Sequence, residues 1–373
     1  MKVKTLLKTS HTWLMPEDDN KLILVATLGR LSRSLKGQIF PGWSTQESRQ
    51  KVLDALRPTI SSLPHFKTGF CAELSDLKHH ERKLLQERKL ISPSMAARGD
   101  GSEVYIPRKQ NISIMLNEEE HLVIHTFAKG NAIDELRDKM ETLASKLEKK
   151  LDFAKSAEGD YLTSIPAECG NGIQMYLVLH LPGLVISNLM KEVRTSLEQL
   201  NLQLTPFYGD GKEDTGDLFV MSHLPDTDIQ CDLNLDRLVR VAKALVKRER
   251  QVRAKLLHLR PLELRDQITR ALGRLLYATT LSFTEMTNAI SLLILGTYYQ
   301  ILRWDDDEDE HPVAILRDMV LSHSPAHLAE RVGLQSGGED SRHMMALRAL
   351  SVQLMLGAMN VSIIPINNTS SAN

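Results

Sequence analysis

Three consecutive carboxylates, Glu118, Glu119 and Glu120, lie between Asn117 and His121. Such a cluster suits general-base work or the holding of a cationic group, and it equally suits a solvated acidic turn. A second candidate is YLTSIPAECGNGIQMYLVLHLPGL, Tyr161 to Leu184. It reads as strand, glycine loop and strand leading into a helix, a shape that lets backbone approach a phosphate. No Lys or Arg occurs anywhere in it, so it is either a ligand loop without charges or a plain turn. GDGKEDTGD, Gly209 to Asp217, hints at a Ca²⁺ loop, but the EF-hand ligand order and its terminal glutamate are missing. His121 and His125 share a face whether that run is strand or helix. Without a third ligand at a supporting spacing, two ordinary histidines are a better reading than zinc; His79-His80 reads the same way.

Lys247, Arg248, Arg250, Arg253 and Lys255 form a basic stripe that faces either solvent or an acidic partner or RNA. The acidic run DDDEDE, Asp305 to Glu310, reads as a solvated loop, with pairing to that stripe in another copy as the alternative. GxxxxGK[ST], GxSxG, HExxH and CxxC do not occur, so no other enzyme class gains support.

With 373 residues, 42% hydrophobic and 25% charged, the chain has the balance of a soluble globular protein and room for two domains. A formal net charge of -1 argues against a nucleic-acid binder held by phosphate contacts. Cys71, Cys169 and Cys231 are scattered and odd in number, which fits a reducing compartment rather than a disulfide framework. MKVKTLLKTSHTW lacks a signal-peptide apolar core and ISLLILGTYY is too short to span a bilayer. The expectation is a cytoplasmic protein with no membrane and no nucleic-acid partner.

The positioning elements follow from periodicity. Residues 45–90 read mainly as helix. In NISIML, Ile112, Ile114 and Leu116 share one face, as in a half-buried strand. Leu136, Met140, Leu143, Leu147 and Leu151 then recur at helical spacing. Met175, Leu177, Leu179 and Leu181 alternate before a helix through Leu189, Val193, Leu197 and Leu200. A long helix carries Leu235, Leu238, Ala242, Leu245, Val252, Leu256 and Leu259 inward until Pro261 breaks it. Helical periods dominate beyond it. The reading is α+β: an antiparallel sheet with flanking helices over residues 1–260, an all-helical part over 261–366, and a disordered tail, 367–373.

Together these segments resemble a family. TLGRLSRSLKGQIFP, NEEEH, YLTSIPAECGNGI, FYGDGKEDTGDLF and SPAHLAERVGLQSGGEDSRHMMALRAL are similar, in order and spacing, to ATP:guanidino phosphotransferases, and among these to the bacterial protein arginine kinases. The resemblance implies a sheet with ATP lying across it and a helical dimerisation domain. It also implies arginines on the nucleotide phosphates, two carboxylates that position a guanidinium, and a nearby cysteine.

Residue by residue, the family's SSRIRLARNL falls on Ala26 to Leu35. Its first arginine is Leu28 here; the others are kept as Arg30 and Arg33. In the acidic motif the guanidinium-orienting carboxylate is kept as Glu119, and the arginine falls on Val123. Thr163, Ser164, Pro166, Gly170 and Gly172 keep the glycine-loop motif, but its cysteine falls on Ile165 and its arginine on Gln174. In TPFYGDGKE the arginine falls on Thr205 and the second carboxylate is Asp210. The phosphoarginine motif of the helical part falls on Ser341, Arg342, Met345 and Ala346, which replace both arginines and the aspartate.

Four of five phosphate-gripping arginines are therefore absent. A charge-assisted hydrogen bond contributes about 1.5–3 kcal/mol, so four, if additive, represent roughly 6–12 kcal/mol. Even the lower figure is on the order of ten-thousandfold in binding. The resemblance thus implies a degenerate member, a pseudokinase that regulates or scaffolds and needs no cofactor. Its implied partners are the zinc-binding kinase activator, an active arginine kinase or Clp protease components, with a homodimer as the assembly. The alternatives are an active kinase using ATP and Mg with a rearranged phosphate site, and a sensor of a less charged ligand, for which Gln174 and Thr205 supply hydrogen bonds.

Overall fold

The computed structural model describes residues 3–7, 13, 22–164, 170–209, 214–224, 231–304, 311–333 and 341–364. Its centre is an antiparallel sheet of eight strands: β1 (Leu24–Arg33), β2 (Phe70–Glu73), β3 (Glu103–Ile106), β4 (Ile112–Leu116), β5 (Leu122–Lys129), β6 (Ile173–His180), β7 (Leu202–Pro206) and β8 (Leu218–His223). They lie in the order β2-β3-β4-β5-β1-β6-β8-β7. β1 is central, with Arg30 opposite His125 of β5 on one side and Gln174 of β6 on the other.

One face of the sheet carries Leu31, Ile114, Leu116, Leu122, Ile124, Leu177 and Leu179 into the larger apolar core. Helices Gln46–Ser61, Ile133–Glu148, Met190–Glu198 and Cys231–Leu259 contribute to that core. The first of these starts at Thr45, whose hydroxyl accepts from the Ser48 amide at 3.2 Å, an N-cap. The opposite face is closed by a second cluster built around Trp13, Phe127, Phe207 and the helices His79–Glu87 and Pro93–Ala97. β4 is accordingly buried on both sides, Met115 as fully as Ile114, rather than half-buried as its alternation suggested. Covering both faces removes the polar side of the period-two pattern.

The helical region at 45–90 is broken by β2, a four-residue strand too short to announce itself. Arg260 joins the long helix to Pro261–Tyr277, in which Pro261 takes a first-turn position where its missing N–H does no harm. Helices Phe283–Tyr298, Pro312–Ser322, Pro325–Val332 and Arg342–Ala358 follow, with a two-residue pair, β9 (Leu302–Arg303) and β10 (Ser362–Ile363). The larger core runs without a break from the sheet into these helices.

A buried ion pair ties the long helix to the sheet. Glu249 accepts from the Gly183 and Leu184 amides at 2.8 and 2.9 Å and from Arg253 Nε at 2.7 Å. Arg253 Nη2 also donates to the His180 carbonyl at 3.1 Å. Arg253, expected in the outward basic stripe, is therefore fully buried. Its carboxylate partner is one turn away, and hydrogen bonds on both groups offset part of the desolvation.

Candidate active-site face

The register brings the sequence-predicted positions together. Leu28 pairs with Phe127 and Tyr176, and Arg30 with His125 and Gln174; Val123 lies beside Ser32 and Thr205 beside Val220. Because side chains alternate along each strand, Leu28, Arg30, Val123, Gln174 and Thr205 share one face of the sheet. This is the face closed by the second apolar cluster. Val123 is completely buried in it and Leu28 packs against it. Trp13 stacks on Phe127 at 5.1 Å and meets Phe207 edge-on at 6.2 Å, laying an indole over the Leu28 end of the face. Gln174 is half-buried, and its amide oxygen accepts from the Tyr176 hydroxyl at 2.5 Å; Thr205 is exposed.

Both retained arginines have structural partners. Arg30 Nη2 lies 3.3 Å from Glu118 and 3.4 Å from Glu119, and its Nε donates to Ser32 Oγ at 3.3 Å. Arg33 sits on the opposite face, donating to the carbonyls of Ser32 at 2.8 Å and Asn171 at 2.9 Å, with its guanidinium 3.4 Å over the Tyr161 ring. Burial lowers its pKa. Gly172, at φ +62°, has no room for a Cβ, which would meet Arg33 Nη1 at 2.5 Å and the Ser32 carbonyl at 2.7 Å. The glycine loop is thus locked to β1 by Arg33.

The acidic run is no solvated turn. Asn117, at φ +55°, turns the chain and donates to the Arg49 and Gly101 carbonyls at 2.9 and 2.8 Å. Glu118 accepts from Ser94 at 2.6 Å, from the Glu119 amide at 2.7 Å and from Ser92. Burial pushes its pKa up, but Arg30, the two hydroxyls and the amide outweigh that and hold it below the usual carboxylate range. Glu120, fully buried, accepts from Ser34 Oγ and the Ser164 amide, each at 2.6 Å, and from the Ser164 hydroxyl. Desolvation nevertheless raises its pKa. Glu119 alone of the three keeps a substantially exposed carboxylate, with 37% of its side chain accessible.

The histidines are structural. His121 accepts from the Leu35 amide at 3.0 Å on Nδ1 and meets the Ile39 carbonyl at 2.9 Å on Nε2, so both ring nitrogens are occupied and a zinc role loses support. Burial lowers its pKa. His125, on the site face, is pushed down to about 4 by desolvation and by Arg30, and bonds the Lys89 backbone. Lys89 itself was missed in the sequence, since nothing in HHERKLLQERK separates it from its neighbours. Its ammonium donates to the Phe207 carbonyl at 2.8 Å beside the Thr205 strand end, and desolvation lowers its pKa to about 8.

Residues 51–252 match the model of the ATP:guanido phosphotransferase C-terminal catalytic domain. The chain is also 32% identical over 334 residues to a protein-arginine kinase of Desulforamulus reducens, covering 88% of this chain and 92% of that one. This chain belongs to the ATP:guanido phosphotransferase family. The protein-arginine kinase of Pelotomaculum thermopropionicum is 29% identical over 340 residues, 89% of this chain and 93% of its own. Among solved structures, lombricine kinase superposes with a TM-score of 0.53 at 15% identity, over 68% of this chain and 76% of that one. The duplicated taurocyamine kinase of Schistosoma mansoni, with bound transition state analog components, gives 0.53 at 19% identity, over 65% of this chain but 35% of that longer chain. These two likenesses establish the guanidino-kinase fold.

Set in that family fold, the face lacks arginine at four of the positions that the resemblance assigns to phosphate contacts. The positions assigned by resemblance to phosphate-gripping arginines carry Leu28, Val123, Gln174 and Thr205, and Arg30 already faces two carboxylates. Ile165 and Asp210 lie outside the described residues, as do Pro166, the acidic run 305–310 and the tail. In the helical part, Ser341 is the N-cap of Arg342–Ala358, its hydroxyl accepting from Met344 at 3.3 Å. Arg342 is exposed on the first turn and the Met345 carbonyl accepts from Leu281 at 3.0 Å. Ser341 thus caps the helix and Met345 holds the Leu281 backbone. Among the described residues no helix is long and apolar enough to cross a membrane.

Proposed function

We propose that this family member is a catalytically degenerate relative of protein-arginine kinases, a pseudokinase that regulates or scaffolds through protein contacts. The observation that carries this reading is the state of the phosphate face: Val123 buried, Trp13 stacked on Phe127 beside Leu28, and Arg30 neutralised by Glu118 and Glu119. Phosphoryl transfer depends on positioning and charge neutralisation around the γ-phosphoryl, and neither is provided there. The scaffold residues Gly172 and Asn117 keep their turns, so the fold is retained where the charges are not. On this reading the protein is a cytoplasmic homodimer without a cofactor. Its partners are a zinc-binding kinase activator, an active arginine kinase or Clp protease components, and the exposed apolar residues Tyr277, Leu350 and Leu354 on the helical part suit a second copy.

Lys89 favours a second reading, an active ATP-dependent arginine kinase in which this lysine replaces the missing charge near Thr205. A protein-arginine phosphorylation assay separates the two. The pseudokinase gives no phosphoarginine above the level of a Glu119→Gln control. Phosphoarginine that disappears in both Glu119→Gln and Lys89→Ala would establish the active enzyme instead.

A further inference from the structure

The solvent face of helix Cys231–Leu259 carries a concentration of like charge that no described part of the chain answers. Arg240, Lys243, Lys247, Arg248 and Lys255 are all exposed. At 3.6 residues per turn they occupy one arc of the helix, opposite the buried Leu238, Ala242, Leu245, Val252 and Leu256. Between Arg237 and Leu262 the sequence holds a single acid, Glu249, and it points inward to Arg253. Arg240, Lys243, Lys247, Arg248 and Lys255 make no ion pair with any described residue. By contrast, basic residues on the helix Ile133–Glu148 and its flank alternate with Asp134, Asp138 and Glu141. A solvated helix face ordinarily mixes both signs, because like charges at i, i+3 and i+4 repel.

We propose that this face, from Arg240 to Lys255, is a docking surface for an acidic segment of another protein. The proposal rests on the interaction role above and adds the surface and the chemistry of its partner. The arc is about 22 Å long, with cations at helical spacing, which matches the carboxylates of an acidic helix laid alongside. A nucleic acid fits less well. The neutral exposed positions of the arc are Ala244, Gln251 and Ala254, so no aromatic ring is offered to a base. The overall charge of -1 also gives no long-range attraction for a polyanion beyond this one face.

The test is anisotropy titration of the full chain into a fluorescein-labelled poly-glutamate peptide, at about 50 mM and about 300 mM salt. Saturable binding is expected, weakened roughly tenfold or more at the higher salt. It should be lost in the variant Lys243→Glu, Lys247→Glu, Arg248→Glu, Lys255→Glu and kept in the control Lys139→Glu, Lys146→Glu, Lys149→Glu, Lys150→Glu. The milder set with glutamine at the same four helix positions keeps the test sound should charge reversal unfold the chain, and it should weaken binding in the same direction. Equal loss in the control set overturns the proposal, as does tighter binding of a single-stranded RNA of equal charge. Self-association of the chain at low salt that vanishes when residues 305–310 are changed to Asn and Gln would reassign the face to a second copy. Nucleotide binding is unaffected by either result, so failure here leaves the pseudokinase reading standing, and the reverse holds too.

Discussion

Arg30→Ala distinguishes a phosphate-binding arginine from one that neutralises the fold's own carboxylate. The Glu118 side chain has no solvent exposure and that of Arg30 has 10%, with 3.3 Å between the charges. Removing one partner of a buried pair costs about 3–5 kcal/mol because the survivor is left uncompensated. Glu118 keeps the Ser92 and Ser94 hydroxyls and the Glu119 amide, which places the loss at the low end, about 3 kcal/mol. At about 2 °C per kcal/mol for a chain of this size, the melting temperature should fall by about 6 °C at pH 7.5. The pH dependence has a definite sign. In the parent the Glu118 pKa is depressed in the folded state, so its contribution is present above the unfolded carboxylate pKa and is lost as pH falls through the lower folded value. Without Arg30 the folded pKa rises from its depressed value, so the defect shrinks as the pH is lowered and Glu118 takes up a proton. Adding Glu118→Gln should recover at least half of the loss. Thermal melts over a series of falling pH values read all of this. An Arg30→Ala protein that melts with the parent but loses affinity for an anion would refute the reasoning.

Val123→Arg should lower stability by about 4 kcal/mol or more, since it buries an unpaired guanidinium in the second apolar cluster, whereas Thr205→Arg on the exposed strand end should stay within about 0.5 kcal/mol; urea denaturation of the two variants checks the contrast. Gly172→Ala adds a Cβ against Arg33 Nη1 at 2.5 Å and the Ser32 carbonyl at 2.7 Å at positive φ, and should cost about 2–4 kcal/mol, read by the same denaturation. Asp217 accepts from Ser291 at 2.6 Å, and burial raises its pKa to about 6. The folded state therefore holds its proton more tightly than the unfolded chain, and a penalty of about 2–3 kcal/mol accumulates between the unfolded carboxylate pKa, about 4, and the folded value of about 6, above which it is constant. Asp217→Asn should flatten that decline in a melting-temperature series from pH 4 to 7.

The fold was legible where periodicity and glycine chemistry agree. The alternation in β6, the three-and-four spacing of Leu136, Met140 and Leu147, and Pro261 at the head of a new helix all follow from local rules. The short strand β2 and the two-sided burial of β4 were not legible, because each depends on what packs across the sheet. At the site, the sequence exposed which charges were missing from the motifs, yet not what replaced them. Trp13 lies far from Phe127 and Phe207 in the chain, and only the fold stacks the three rings. The acidic run looked like a solvated turn because Ser92, Ser94 and Ser164, which satisfy it, come from distant segments. Arg253 looked like its exposed neighbours until its hydrogen bonds to Glu249 and His180 were seen.

Calorimetric titration of Mg·ATP and Mg·ADP into the purified protein, up to millimolar nucleotide, tests the central claim most directly. A face with Val123 buried and Arg30 held between two carboxylates predicts no measurable heat and no thermal shift. Micromolar binding of either nucleotide would contradict it.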